Sequence, residues 1–249
     1  MKTIVQNLVT NYSRDGSGRQ LLVLHGWADN GSNWQQFAHT LTKEYEVIVP
    51  DLPGFGSTEM PPDIWGIGEY ATFVSEFIKK TKITPYAIIA HSNGGSIAIH
   101  AIANKLIFPT KLVLLASAGI RNSGKGRKRT LRVVAKTGKV FTSVLPASKR
   151  YQLRNKLYKY AGSDMLIVEE LQETFKRIVS EDVRTDAELI TIPTLLIYGT
   201  LDNSTPVEYG KILSESIPNS KLEIIKGGDH FIHIRTETQV INLLESFLK

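Results

Sequence analysis

Ser92, Asp202 and His230 have the side-chain types that together can activate a hydroxyl group. A serine hydroxyl is a weak nucleophile near neutral pH and needs a base within hydrogen-bond reach. An imidazole serving as that base needs an acid to fix its tautomer and stabilise its cation. Each of the three follows a short apolar run. Tyr86-Ala-Ile-Ile-Ala leads to His91-Ser92-Asn93-Gly94-Gly95, Pro193-Thr-Leu-Leu-Ile-Tyr-Gly leads to Asp202, and Leu222-Glu-Ile-Ile leads through Gly227-Gly228-Asp229 to His230. Around Ser92 the spacing approaches Gly-x-Ser-x-Gly, with Ala90 in place of the first glycine. In such a turn a strained serine is exposed between strand and helix, and small neighbours let the two elements approach. The same heptapeptide also fits an ordinary helix capped by serine.

The elements that must position these residues are legible from periodicity. Residues 3 to 12 read as a first strand, and Arg14-Asp15-Gly16-Ser17-Gly18 as a turn that makes a hairpin with the next, Leu21-Leu-Val-Leu. That run ends at His25-Gly26-Trp27. Trp34, Phe37, Ala38 and Leu41 then recur at helical spacing, and Val47-Ile-Val runs into Asp51-Leu-Pro-Gly-Phe-Gly-Ser. Ile67 to Lys80 form an amphipathic helix with Tyr70, Phe73, Val74, Phe77 and Ile78 on one face. After the Ser92 helix comes Lys111-Leu-Val-Leu-Leu, a further buried strand. Gly119 ends the alternation, and turns at Gly138, Pro146 and Gly162 divide a loosely helical stretch into three or four short helices. Val207 to Ser216 form a helix, and the closing helix carries Ile234, Val240, Ile241, Leu244 and Phe247 on one side. Strands separated by helices require crossover connections, so the class is α/β with a largely parallel sheet. The C-terminal ends of parallel strands share one edge, where Ser92, Asp202 and His230 can meet.

Composition limits the alternatives. The chain has 249 residues, 42% hydrophobic and 22% charged, which suits one soluble α/β domain. It has no cysteine, so disulfides, thiolate metal sites and a cysteine nucleophile are excluded. No run reaches the ~20 apolar residues of a membrane span, and the first residues lack the apolar core of a signal peptide, so a cytoplasmic protein is expected. Net charge is +6, unevenly spread. Between residues 121 and 160 there are thirteen basic residues and no acid; extended to 185 the segment has sixteen against six and carries +10, while the remainder carries −4. Such asymmetry marks a module facing something different.

Taken together, these motifs resemble the α/β-hydrolase superfamily, in its capped serine-hydrolase, esterase- or lipase-like branch, over essentially the whole chain. The quoted loops are His25-Gly26-Trp27, Asp51-Leu-Pro-Gly-Phe-Gly-Ser, the Ser92 turn, Tyr198-Gly-Thr-Leu-Asp202 and Gly227-Gly-Asp-His230. The resemblance implies a mostly parallel eight-stranded sheet flanked by helices, with a single domain whose core is 1–120 and 186–249 and whose helical cap, 121–185, is inserted after the sixth strand. It implies catalysis by Ser92, Asp202 and His230, with backbone N–H groups of Trp27 and Asn93 forming an oxyanion hole. A serine nucleophile instead of aspartate argues against epoxide hydrolases and haloalkane dehalogenases. The implied reaction is hydrolysis of a carboxylic ester or related acyl bond. Carbon–carbon bond hydrolysis of a diketone, thioester or amide cleavage, and cofactor-free perhydrolysis are alternatives on the same fold.

No cofactor or metal is expected, since no His, Asp and Glu cluster has metal-ligand spacing. The expected partner is a small acyl substrate, anionic or carrier-bound. Peripheral contact with an anionic membrane would use the same basic segment. A non-catalytic binding protein and a nucleic-acid binder are the competing classes; the second lacks any recognised motif. Asp51 is expected to cap a turn and Asp229 to be a solvated carboxylate. His25 and His91 are expected to be structural and His100 to be a satisfied histidine, while His39 and His233 carry no partner signal.

Overall fold

The structure, a computed structural model, describes residues 1–121 and 169–249; the expected short helices with turns at Gly138, Pro146 and Gly162 lie outside the described residues. Strands β1 (Lys2–Val5), β2 (Leu8–Gly16), β3 (Arg19–Leu24), β4 (Tyr45–Pro50), β5 (Pro85–His91), β6 (Lys111–Leu115), β7 (Thr194–Gly199) and β8 (Ser220–Ile225) form one sheet in the order β1-β2-β4-β3-β5-β6-β7-β8. The first two pairings, β1 with β2 and β2 with β4, are antiparallel, and the other five are parallel.

Two sequence expectations at this end are corrected. The single strand over residues 3–12 is two strands, turned at Gln6 and Asn7, both at positive φ (49° and 65°). Consecutive positive-φ residues make the tight turn suited to a hairpin, and without a glycine there it left little sequence signal. The expected hairpin between β2 and β3 does not form either. β4 lies between them, and the Gly16-Ser17-Gly18 link crosses its end, with both glycines at positive φ.

Alternate strand residues point to opposite faces, and both faces are buried, so the central strands read as continuous apolar runs. Leu22, Ile48, Ile88, Leu114 and Leu196 join one core, packed by helices α2 (Ile67–Thr81) and α3 (Asn93–Ala103). Leu21, Val47, Ile89, Val113 and Ile197 join the other, packed by α1 (Gln35–Leu41) and the closing helix. On α2, Tyr70, Phe73, Val74 and Phe77 are all buried as the periodicity required.

From residue 169 the chain runs through α4 (Gln172–Ile178) and α5 (Arg184–Ala187), with residue 185, the expected boundary, inside α5. Leu171, Ile178 and Val183 are buried in the first core. Arg121 donates its backbone N–H to Asp182 at 2.8 Å and its guanidinium to the carbonyls of Glu181 and Ile178, so both ends of the segment are stapled together. After β7 follows α6 (Val207–Ser216), which matches its expected limits. The closing helix is two, α7 (Ile232–Arg235) and α8 (Glu237–Leu248). Ile234, expected on the apolar side, is exposed, because α7 turns Ile232 and His233 into the core instead.

Candidate active site

Ser92 lies between β5 and α3 with φ 51° and ψ −117°, a conformation that non-glycine residues rarely adopt. The strand aims the chain at this point, and three small residues let the turn fit. A Cβ at Gly94 would come within 2.4 Å of the Leu24 carbonyl oxygen, and one at Gly95 within 2.1 Å of Ser117 Oγ. Ala90, in place of the first motif glycine, is fully buried with its methyl accommodated in the core.

His230 and Asp202 come from loops after β8 and β7. Ser92 Oγ is 3.0 Å from His230 Nε2, and His230 Nδ1 is 2.8 Å from Asp202 Oδ2. A carboxylate only accepts, so Nδ1 carries the imidazole proton and Nε2 is left to accept from the serine hydroxyl. The Asp202 side chain is fully buried and that of His230 is partly exposed. Burial works against ionising Asp202, yet hydrogen bonds and charge from His230, with Thr205, outweigh it and hold the acid below the usual carboxylate range. The N–H groups of Ser204 and Thr205 donate to Oδ1 at 2.7 and 2.9 Å. Thr205 Oγ1 lies 2.7 Å from Oδ2 and 2.9 Å from the Ala116 carbonyl oxygen.

The loop after β3 closes another side. A Cβ at Gly26 would lie 3.1 Å from Ser92 Cβ and 2.9 Å from His91 Nδ1, so only glycine allows this approach. Neither the Trp27 nor the Asn93 backbone N–H has an acceptor among the described residues. Asn93 opens α3, where first-turn N–H groups have no partner within the helix. The Trp27 ring packs edge-on against Phe55 at 4.9 Å and tilted against Phe175 of α4 at 5.1 Å.

The remaining candidates sort by their partners. Asp51 is buried as a loop brace, taking N–H groups from Gly31 at 2.6 Å and Ser57 at 2.8 Å and the Asn11 amide at 2.9 Å, none of them part of the Ser92 chain of bonds. His25 holds backbone as expected, donating from Nδ1 to Gly26 O and accepting Leu52 N–H at Nε2. His100 pairs with Asp186 at 2.7 Å, and His39 is exposed. Asp229 is not a free carboxylate: it pairs with Arg235 and takes the Phe231 N–H. Two contributors went unrecognised. Thr205 had only its position three residues after Asp202 to mark it, and His233 is buried with its ring stacked on Trp34 at 3.9 Å.

The chain is similar to known proteins of the α/β-hydrolase fold. A family model described as alpha/beta hydrolase fold matches residues 20–235. An uncharacterized protein of Mycobacterium tuberculosis is 25% identical over 270 residues, covering 94% of this chain and 76% of that one. A pimeloyl-acyl-carrier-protein methyl ester esterase of Vibrio cholerae is 26% identical over 233 residues, 86% of this chain and 88% of the esterase. Among solved structures, an esterase from Exiguobacterium antarcticum shares the fold with a TM-score of 0.78 at 22% identity, over 100% of this chain and 99% of that one. With the family model spanning most of its length, the chain belongs to the α/β-hydrolase fold family.

Proposed function

We propose that the protein is a serine hydrolase cleaving a carboxylic ester or related acyl bond, with Ser92 as nucleophile, His230 as general base and acid, and Asp202 as the group that orients His230. The observation that carries this is the unbroken chain of hydrogen bonds from Ser92 Oγ through His230 to Asp202. Ser92 Oγ attacks the acyl carbon as its proton passes to His230 Nε2. The oxyanion is held by the N–H groups of Trp27 and Asn93, each such donor being worth about 10²–10³ in turnover. Collapse of the tetrahedral species expels the alcohol, which takes the proton from His230 and leaves the acyl group on Ser92. Water then attacks, giving a proton to His230; collapse returns that proton to Ser92 Oγ and releases the acid.

Esters of anionic or carrier-bound acyl groups are the favoured substrate class. The esterases among the relatives act, by name, on an acyl-carrier-protein ester, and the segment 121–185 carries +10. A fluorophosphonate probe tests the nucleophile: it should label Ser92 and abolish turnover of p-nitrophenyl esters. A binding-only protein would not react. Turnover of matched ester and thioester series, short to long, then separates ester from thioester specificity.

A further inference from the structure

Two imidazoles lie behind His230 that the proposed reaction does not use. His91, the residue before the serine, is buried, and its Nε2 is 2.8 Å from the backbone carbonyl oxygen of His230. A carbonyl oxygen only accepts, so His91 must carry its proton on Nε2 and donate. Among the described residues its Nδ1 has no hydrogen-bond partner, and it abuts Gly26. His91 therefore lies between the loop that bears Trp27 and the loop that bears His230. Its ring is 4.8 Å from that of His230 and 4.7 Å from that of His233.

His233 is stacked flat on Trp34, with an interplanar angle of 5°, and both its ring nitrogens are buried without hydrogen-bond partners among the described residues. Trp34 is anchored in turn, donating Nε1 to Asp29 at 2.9 Å, and Asp29 also takes the Asn30 N–H and the Asn33 amide. The stack thus runs from the loop after β3, through Trp34, His233 and His91, to the His230 backbone. Burial and the neighbouring His230 push His91 down to about 3, although the Asp29 and Asp202 carboxylates act the other way. Burial, then His91 and His230, push His233 down to about 2. A neutral His91 suits the task, because His230 must itself become cationic during the reaction and a second cation beside it would oppose that.

We propose that His91 is a positioning residue: its Nε2–H holds the His230 carbonyl, and its contact with Gly26 ties the histidine loop to the oxyanion loop, with His233 and Trp34 bracing it from behind. The proposal rests on the assignment of Ser92, His230 and Asp202 as the reacting groups. Misplacing a reacting group by an ångström costs about 10²-fold in rate, so the effect belongs in kcat.

The test uses the full-length protein, p-nitrophenyl butyrate and a fluorophosphonate probe. His91→Phe keeps a flat ring and removes the donor. It should melt cooperatively, lower kcat and the labelling rate together by roughly 10–100-fold, and leave KM within about twofold. His91→Gln, which keeps an N–H donor, should recover most of the loss. In the unmutated protein, ¹⁵N chemical shifts should show His91 as the Nε2–H tautomer with no titration between roughly pH 5 and 9. Wild-type kcat in a folded His91→Phe variant, equal damage from Phe and Gln, or an Nδ1–H tautomer would each overturn the proposal. The tautomer measurement decides the matter even if His91→Phe does not fold. Failure of the wild-type protein to label at Ser92 would instead remove the underlying assignment, a result distinct from normal labelling with an unimpaired His91 variant.

Discussion

Ser92 is held at φ 51° and ψ −117°, where a non-glycine residue stores about 1–3 kcal/mol of backbone strain that the surrounding turn must offset. Alanine inherits the same strain, so Ser92→Ala removes an oxygen and little else. Its stability should stay within about 0.5 kcal/mol of wild type, while ester turnover falls by at least about 10³-fold. A urea melt beside a p-nitrophenyl assay checks both, and full turnover in the variant would end the assignment. The two buried aspartates separate in the same way. Asp202→Asn puts an amide where His230 Nδ1 donates, favouring the wrong imidazole tautomer, and kcat should drop by about 10⁴-fold. Asp51→Asn leaves three donors facing a side chain with one poorer acceptor, so its cost is about 1–3 kcal/mol of stability with kcat nearly unchanged. Reversed phenotypes would move the acid to the other loop. Ser92, Asp202 and His230 stood out in the sequence because each follows a short apolar run readable as a strand, although β8, before His230, is a half-exposed edge strand. Thr205 went unmarked, and His91 was expected to be structural with no partner named, since their bonds run to Ala116 and His230, 89 and 139 positions away in sequence.

Elements show the same division between local signal and remote cause. The positions of β3 to β7 follow from continuous apolar runs, and the limits of α6 from its periodicity. Which strand lies beside which depends on pairings that no local pattern states, so β4 between β2 and β3 had to be seen. The break between α7 and α8 likewise reflects the burial of His233 against Trp34, while periodicity alone favoured one helix with Ile234 inside. That burial makes a prediction. His91 and His233 have folded values near 3 and 2, well below the ordinary histidine value of 6.5. Below about pH 6.5 the unfolded chain takes up protons that the folded chain refuses, so stability is complete above that pH and falls as the solution is acidified. Each histidine contributes a slope of about 1.4 kcal/mol per pH unit over this range. Asp202, held low in the fold, adds a loss of the same sign at still lower pH, as it protonates. Denaturant unfolding between pH 7 and 4 should show this slope, and His233→Phe should flatten it by about one proton. An unchanged slope in that variant would mean that His233 is not buried neutral.

At the scale of the whole molecule the charge is unevenly spread, +10 over residues 121–185 and −4 over the rest. Where the segment 121–185 is described, its cations are already engaged. Lys176 pairs with Glu173, Arg177 with Glu69 and Glu181, and Arg184 with Asp182, while Arg121 is spent on backbone carbonyls. The excess of basic over acidic residues therefore belongs to residues 122–168, which hold twelve basic residues and one acidic one, Asp164. Composition made this excess legible, but where it lies relative to Ser92 is outside the described residues. The chain itself still dictates a measurable consequence. Twelve cations repel one another and lower their energy by gathering anions, whether counter-ions, an anionic acyl group or an acidic carrier. Attraction between exposed charges is screened beyond about 8–10 Å at physiological ionic strength. If the segment draws substrate to Ser92, kcat/KM for an ester with an anionic acyl group should fall steeply between low and physiological salt, whereas a neutral ester of equal length should hardly respond. Charge reversal at Arg127, Lys128 and Arg129 should erase that difference and leave the neutral reaction intact. Equal salt dependence for the two esters would mean that the cations do not steer substrate, and the proposed chemistry at Ser92, His230 and Asp202 would stand without them.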